Sequence, residues 1–399
     1  MATTAVDFTV HDPRHLFEAA TAGNVTRAKE LLAQGANPNV KNDVIGETLL
    51  HVAVRCDKRQ VLELLLRTKS IDVTVRDKRG DTPLVTAVKQ GHRRFAQLIY
   101  SSTTQPSREV AAADITIDYK TMLGRGSFGV VYKGLFENKP VAVKTLGPPE
   151  AAALAQEMDA MQQCMSPYLL QLVAASGQHT ARPQLVLEYM DGGDLRRYLD
   201  HKRDGIAVAV AYSKLEVAWV IANALADLHH HNLLHRDLKS HNVLLSSTNY
   251  IKVADLGLAR PYASQMTQYK GTMLWTAPEV LACHGRYDYA ADIYSFGVIL
   301  TELSTLQVPY AGLQLPLWVI LEGVCKGTLR PDVGNACPPW LRELATACMA
   351  HDPMHRPNAQ RILQLLDHQR RVESAPPAPL AAAASSGSNG SSCNSTVQR

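Results

Sequence analysis

Two segments constrain the fold of this chain more tightly than any other feature. One is Leu-Gly-Arg-Gly-Ser-Phe-Gly-Val-Val at 123–131, followed by Val-Ala-Val-Lys ending at Lys144; the other is His-Arg-Asp-Leu-Lys-Ser-His-Asn at 235–242. Asp255-Leu256-Gly257 and Ala277-Pro278-Glu279 follow them in that order. Glycines spaced as Gly124, Gly126 and Gly129 occur alone in several nucleotide folds and in ordinary turns. Four ordered segments are a much stronger constraint. The surrounding pattern agrees with a division into two lobes. Apolar residues alternate at Ile115, Ile117 and Tyr119, and further strand-like runs lie at 141–144 and 185–188. Beyond Leu195 the apolar spacing turns helical, as at Val217, Ile221, Leu225 and Leu228.

With those motifs in place, residues 114–372 resemble the protein kinase superfamily. The resemblance implies an α+β, bilobal protein kinase fold using ATP and Mg²⁺. Phosphoryl transfer requires positioning and charge neutralisation more than covalent chemistry, hence glycines, a lysine and metal-holding oxygens. Gly124, Gly126 and Gly129 let the backbone approach phosphates where a Cβ would collide, with Phe128 covering them. By resemblance the nucleotide is further enclosed by Leu123, Arg125, Ser127, Val130, Val131, Ala142 and Leu244. Lys144 is then the phosphate-contacting lysine, and it needs an anionic partner. Glu157 stands at the position that resembles the helix-C glutamate, with Met161 one turn on. Glu150 competes for that role but follows Pro148-Pro149 and so precedes the helix. The alanine-rich stretch at 150–156 predicts a helix C open to regulation.

The segment at 187–190 resembles the lobe-connecting hinge, placing Glu188 and Met190 at the adenine and Leu187 at the mouth of a deeper pocket. Asp194 matches a ribose-contacting position and serves equally well as a helix N-cap. Asp237 is expected to accept the proton of the acceptor hydroxyl. Lys239 neutralises charge on the transferring phosphate, and Asn242 and Asp255 are the expected Mg²⁺ ligands, both offering the hard oxygen donors this ion prefers. Leu256 replaces the usual Phe as an apolar packing piece. His235 is expected to pack rather than react, and His229, His230 and His231 read as an exposed helix end. Glu279 is expected to pair with Arg356, and Asp292 to anchor the catalytic loop backbone.

Lys239, together with Gly271-Thr272 ahead of Pro278, resembles the tyrosine-kinase-like group, whose members mostly phosphorylate serine and threonine. Dual specificity toward tyrosine is the variant reading. Arg236 before Asp237 predicts regulation by phosphorylation of Ser264, Thr267 or Tyr269. The rival is a catalytically silent scaffold. That reading normally goes with loss of the lysine or an essential aspartate, and Lys144, Asp237, Asn242 and Asp255 are all present.

Ahead of this region the chain repeats every 34 residues. Ala19, Ala53 and Ala87 are in phase, as are Leu31, Leu65 and Ile99, and Gly46-Glu47-Thr48 is answered by Gly80-Asp81-Thr82. The runs beginning Thr48-Leu49-Leu50-His51 and Thr82-Pro83-Leu84 resemble the ankyrin signature. About three repeats over 13–102 are expected to form a short all-α solenoid, the first an atypical cap, stabilised by stacking because each unit is too thin to bury its own apolar face. A protein partner or substrate is expected on this array. Residues 103–113 read as a linker and 373–399 as a disordered Ser/Ala/Gly-rich tail.

The bulk numbers narrow the classes. A net charge of +4 over 399 residues, without basic runs, gives no case for nucleic acid as the main partner. Seven scattered cysteines without a CxxC pair suit free thiols in a reducing compartment. No apolar run approaches the roughly 18 residues of a membrane span, and neither a signal peptide nor a lipidation motif is visible. The default expectation is cytoplasmic.

Overall fold

The computed structural model describes residues 12–104, 107–126, 129–145, 151–177, 180, 183–257, 260–261, 273–282 and 287–374. Three helical hairpins open the chain: α1 (Pro13–Ala22) with α2 (Val25–Ala33), α3 (Leu49–Arg55) with α4 (Arg59–Leu66), and α5 (Pro83–Lys89) with α6 (Arg93–Thr103). Their starts are written locally. Thr48 and Thr82 are the N-caps of α3 and α5, and Pro13 and Pro83 stand in first turns, where their missing N–H costs nothing. The in-phase residues Ala19, Ala53, Ala87, Leu31, Leu65 and Ile99 are all buried between hairpins.

The next unit is a six-stranded sheet in the order β1-β5-β6-β4-β3-β2. Its strands are β1 (Arg108–Glu109), β2 (Ile115–Gly126), β3 (Gly129–Phe136), β4 (Lys139–Thr145), β5 (Leu172–Ser176) and β6 (Gln184–Glu188). All pairings are antiparallel except β1 with β5. Part of the sequence between array and sheet therefore joins the sheet as its edge. Gly134 is required where β3 crosses β2, because a Cβ there would lie 2.5 Å from the Thr116 carbonyl oxygen. Ile115 is buried and Tyr119 is 67% exposed, so the alternation read from the sequence ends where β2 shifts register after Asp118. Helix α7 (Ala151–Gln163) packs beside this sheet near β5.

Below lies the helical lobe. It comprises α8 (Leu195–Arg203), α9 (Lys214–His230), β7 (Leu233–Leu234), the hairpin β8 (Val243–Ser246) and β9 (Tyr250–Val253), and β10 (Arg260–Pro261). Helices α10 (Pro278–Leu281), α11 (Tyr289–Thr305), α12 (Leu317–Cys325), α13 (Pro339–Cys348) and α14 (Ala359–Ser374) complete it. A Ser213–Glu216 capping box starts α9. Apolar on all sides, α9 and α11 are buried along most of their length, as helices without a polar face must be. Gly297 lets α13 close on α11, since a Cβ there would sit 2.8 Å from the side chains of Cys348 and Met349. The apolar core of the array continues into that of the helical lobe. Among the described residues no helix is long and apolar enough to cross a membrane.

Candidate active site

Lys144 stands in β4, between Val131 of β3 and Leu185 of β6 in the ladder. Its Nζ donates to Glu157 Oε2 at 2.6 Å and to Asp255 Oδ1 at 3.1 Å. The partner glutamate is thus Glu157, buried on α7 with Met161 inward one turn later; Glu150 lies outside the described residues. Burial alone pulls the Lys144 amine downward, but the Glu157 and Asp255 carboxylates outweigh it and hold the amine above its ordinary value. Asp255 is the mirror case: burial pushes it up, and the Lys144 charge brings it below the usual carboxylate range. Burial raises Glu157 and outweighs the opposing Lys144 charge, with the nearby negative charge of Asp255 adding to the rise.

A second cluster faces the first. Lys239 Nζ donates to Asp237 Oδ2 at 2.7 Å, and Asn242 Nδ2 donates to the Asp237 carbonyl at 2.8 Å and to Oδ2 at 3.2 Å. Asn242 and Asp255 are drawn together because the Ala254 N–H donates to the Asn242 carbonyl at 2.8 Å, closing the base of the β8–β9 hairpin. Arg236 and Asp255 adopt left-handed backbone at φ 67° and 65°, conformations that non-glycine residues hold only where their surroundings impose them. For Arg236 the constraint is visible. The wholly buried Asp292 accepts from the backbone N–H groups of His235 and Arg236 at 2.9 and 3.0 Å, and from Tyr287 Oη at 3.0 Å. His235 is buried, with Nε2 bonded to the Ala254 carbonyl and Nδ1 receiving the Asp237 N–H, a packing role as expected.

The cleft between the lobes collects most of the other candidates. Ala142 and Leu187 are ladder partners on its upper wall, and Met190 is buried at the hinge. Leu244 and Asp194 are joined by a β-bridge on the lower side. Asp194 caps α8, accepting from the Arg197 N–H at 2.9 Å. The Glu188 carboxylate accepts from the Gln171 N–H at 2.8 Å and lies 3.6 Å from Lys252, so it is the hinge backbone at 188–190 that remains for the adenine role expected from the sequence. In the flap, Gly124 pairs with Val131, Arg125 with Val130 and Gly126 with Gly129, while Leu123 is exposed. Ser127 and Phe128 lie outside the described residues, as do Ser264, Thr267, Tyr269, Gly271 and Thr272.

This donor set fits a magnesium nucleotide. A Cβ added to Gly124 would meet no atom within 4 Å, so nothing among the described residues crowds the flap backbone there. The Asn242 amide and the Asp255 carboxylate supply hard oxygens, and the Lys144 ammonium, itself bonded to Asp255, supplies positive charge beside them.

Two supporting contacts follow the sequence expectation and two findings depart from it. Arg356 donates to both oxygens of Glu279 at 2.7 and 2.8 Å with its own side chain fully buried, and Leu256 is buried as an apolar plug. His229, expected on an exposed helix end, instead lies inward with Nε2 3.0 Å from Asp292 Oδ2, because that face of α9 meets α11. The sequence reading also missed Glu302. This wholly buried carboxylate accepts from Arg196 Nη1 at 2.7 Å, Ser240 Oγ at 2.8 Å and Trp275 Nε1 at 2.7 Å. A glutamate inside an otherwise apolar helix, at 289–305, was the available signal.

Comparison with known proteins bears on both halves. The family description "Protein tyrosine and serine/threonine kinase" matches residues 117–366, and "Ankyrin repeats (3 copies)" matches 16–109. A probable serine/threonine-protein kinase of Dictyostelium discoideum is 35% identical over 65% of this chain and 28% of its own length. Serine/threonine-protein kinase STY46 of Arabidopsis thaliana is 36% identical over 61% of this chain and 42% of its own. Tyrosine-protein kinase SRK2 of Spongilla lacustris is 35% identical over 67% of this chain and 73% of its own. The chain therefore spans less than half the length of the first two relatives.

Proposed function

The chain belongs to the protein tyrosine and serine/threonine kinase family and carries ankyrin repeats, and on that premise we propose that it transfers the γ-phosphoryl group of Mg-ATP to serine or threonine hydroxyls of proteins. The observation that carries the reading is the convergence of Lys144, Glu157 and Asp255 on one side with Asp237, Lys239 and Asn242 on the other. Asn242 and Asp255 would hold Mg²⁺, which when bound neutralises charge on the phosphate oxygens. Lys144, kept charged by its two carboxylates, orients the phosphates from above. Asp237 receives the acceptor's hydroxyl hydrogen bond and then its proton, while Lys239 beside it offsets charge on the group in flight. The flap at 123–131 and the walls at Val131, Ala142 and Leu244 seat the base and exclude water.

The acceptor class rests on Lys239 and on the serine/threonine relatives; similarity to the sponge tyrosine-protein kinase makes tyrosine the second reading. The array over 13–102 presents a partner or substrate to the catalytic domain at 114–372. Free thiols at Cys56, Cys164, Cys325, Cys337 and Cys348 suit a reducing, cytoplasmic compartment. Incubating the protein with labelled Mg-ATP and mixed protein acceptors, then separating phosphoamino acids, tests the proposal. Phosphoserine and phosphothreonine are expected; label confined to phosphotyrosine overturns the acceptor assignment, and absence of label overturns the activity.

A further inference from the structure

The third ankyrin repeat does not stand apart from the catalytic domain. At the start of α6, Arg93 Nη1 donates to Asn223 Oδ1 at 2.5 Å and Nη2 donates to Asp227 Oδ1, while Gln97 Nε2 lies 3.4 Å from the same oxygen. Asn223 and Asp227 belong to α9 and are both buried. Asp227 spends its other oxygen on Ser166 Oγ at 2.6 Å. Ser166 in turn receives the Tyr168 N–H at 3.1 Å, and so shapes the turn just past α7, the helix that carries Glu157.

The same repeat also reaches the strand that leads to Asp255. Lys89 lies over the Tyr250 ring at 5.4 Å, Lys252 lies over the Tyr100 ring at 5.7 Å, and Arg76 Nη1 donates to the Thr248 carbonyl at 3.0 Å. Strand β9 is tied to the turn after α7 by the Val253 N–H on the Tyr168 carbonyl and by Lys252 on the Pro167 carbonyl. One repeat thus touches the roots of both carboxylates that hold Lys144.

We propose that docking of the third repeat is a built-in positioning device of the kinase, in which Arg93 fixes Asp227, Asp227 fixes the turn at Ser166, and that turn sets α7 so that Glu157 meets Lys144. The physical reason is that Asp227 is a buried carboxylate. Without Arg93 its charge has no ion-pair partner and must draw in water, and the turn it holds through Ser166 loosens with it. Arg93 is a positioning residue; it touches no reacting atom. The array surface it occupies is committed within the chain, so an outside partner on that face competes with the docked, assembled state. The catalytic consequence rests on the kinase reading above.

Position 93 is a lenient place to test this, because Arg59 and Val25 hold the same place one and two repeats earlier, an exposed arginine and a half-buried valine each starting its helix. The full chain, Arg93→Ala, Arg93→Glu and Arg93→Lys are compared in two assays. The first is peptide-resolved alkylation of Cys164, which is buried at the end of α7 beside Asp227 and needs no catalysis to report. The second is the KM for ATP and kcat on a generic protein acceptor. Arg93→Ala and Arg93→Glu are expected to speed Cys164 alkylation and lower kcat/KM for ATP by about tenfold, mainly through KM, with Arg93→Lys between them and the wild type. Unchanged alkylation in Arg93→Glu overturns the clamp, and faster alkylation with unaltered ATP parameters overturns its link to Lys144. A wild type without phosphotransfer refutes the kinase reading instead; KM is then replaced by Mg-ATP binding affinity, and an unaltered affinity overturns the link to Lys144.

Discussion

Replacing Glu302 tests whether buried polar wiring holds the catalytic loop in place. The carboxylate has no solvent contact and accepts from a guanidinium, a hydroxyl and an indole N–H. Burial pushes its pKa up, opposed by the Trp275, Arg196 and Ser240 hydrogen bonds. Glu302→Ala leaves Arg196, whose side chain is 4% exposed, with Asp200 and the carbonyls of Leu306 and Gln307 as its remaining partners. It also leaves two buried donors unmet, each worth about 1–3 kcal/mol. Breaking a buried charge pair on one side costs about 3–5 kcal/mol in total. For a domain of this size that is a fall of about 6–20 °C in Tm. The four tryptophans, Trp219, Trp275, Trp318 and Trp340, all lie beyond the array, so their fluorescence reports chiefly on the catalytic domain, with Trp275 next to Glu302 itself. A Tm fall under about 2 °C refutes the reasoning. The double variant Arg196→Met/Glu302→Leu removes both charges and is expected to recover the part of the loss due to the unpaired guanidinium, while the unmet Ser240 and Trp275 donors keep their cost.

Glu157→Gln removes the nearer of the two carboxylate charges on Lys144, and kcat/KM for ATP is expected to fall about 10- to 100-fold by steady-state assay while the fold is retained. Gly297→Ala forces α11 and α13 apart at a 2.8 Å contact and is expected to destabilise by about 1–3 kcal/mol, read as a lower denaturation midpoint. His51 is buried, with Nδ1 receiving the Thr48 N–H at 3.1 Å and Nε2 donating to the Asp81 carbonyl at 3.0 Å. Burial holds its pKa below the ordinary value, so only the unfolded chain binds its proton just below about pH 6.5. Array stability is therefore full above that pH and falls as pH drops toward the folded value, by about 1.4 kcal/mol for each unit in the window. Circular dichroism melts at pH 7.5 and 5.5 should show a smaller difference in His51→Gln than in the wild type.

What the sequence made legible was whatever its local chemistry decides. The 34-residue phase of Ala19, Ala53 and Ala87 follows from stacking, and the Thr caps mark helix starts wherever they occur. Lys144 and Asp237 stood out because phosphate and metal impose residue types, and the structure gives each an oppositely charged partner. Glu157 over Glu150 followed from two prolines. What stayed hidden depends on distance along the chain. Arg93 meets Asp227 across 134 residues and Arg196 meets Glu302 across 106, and no local pattern joins them. His229 looked exposed because its neighbours His230 and His231 are polar, yet its own face of α9 meets Asp292. Strand β5 was not anticipated at all. Its burial comes from its place in the sheet, between β1 and β6.

The most direct test compares phosphotransfer by the wild type with that by Asp237→Ala, alongside Mg-ATP binding by both. The account predicts label on protein hydroxyls from the wild type, a loss of at least about 100-fold in kcat for Asp237→Ala, and nucleotide binding by both through Lys144, Asn242 and Asp255. Equal transfer by the two proteins, or no binding of Mg-ATP by the wild type, contradicts it.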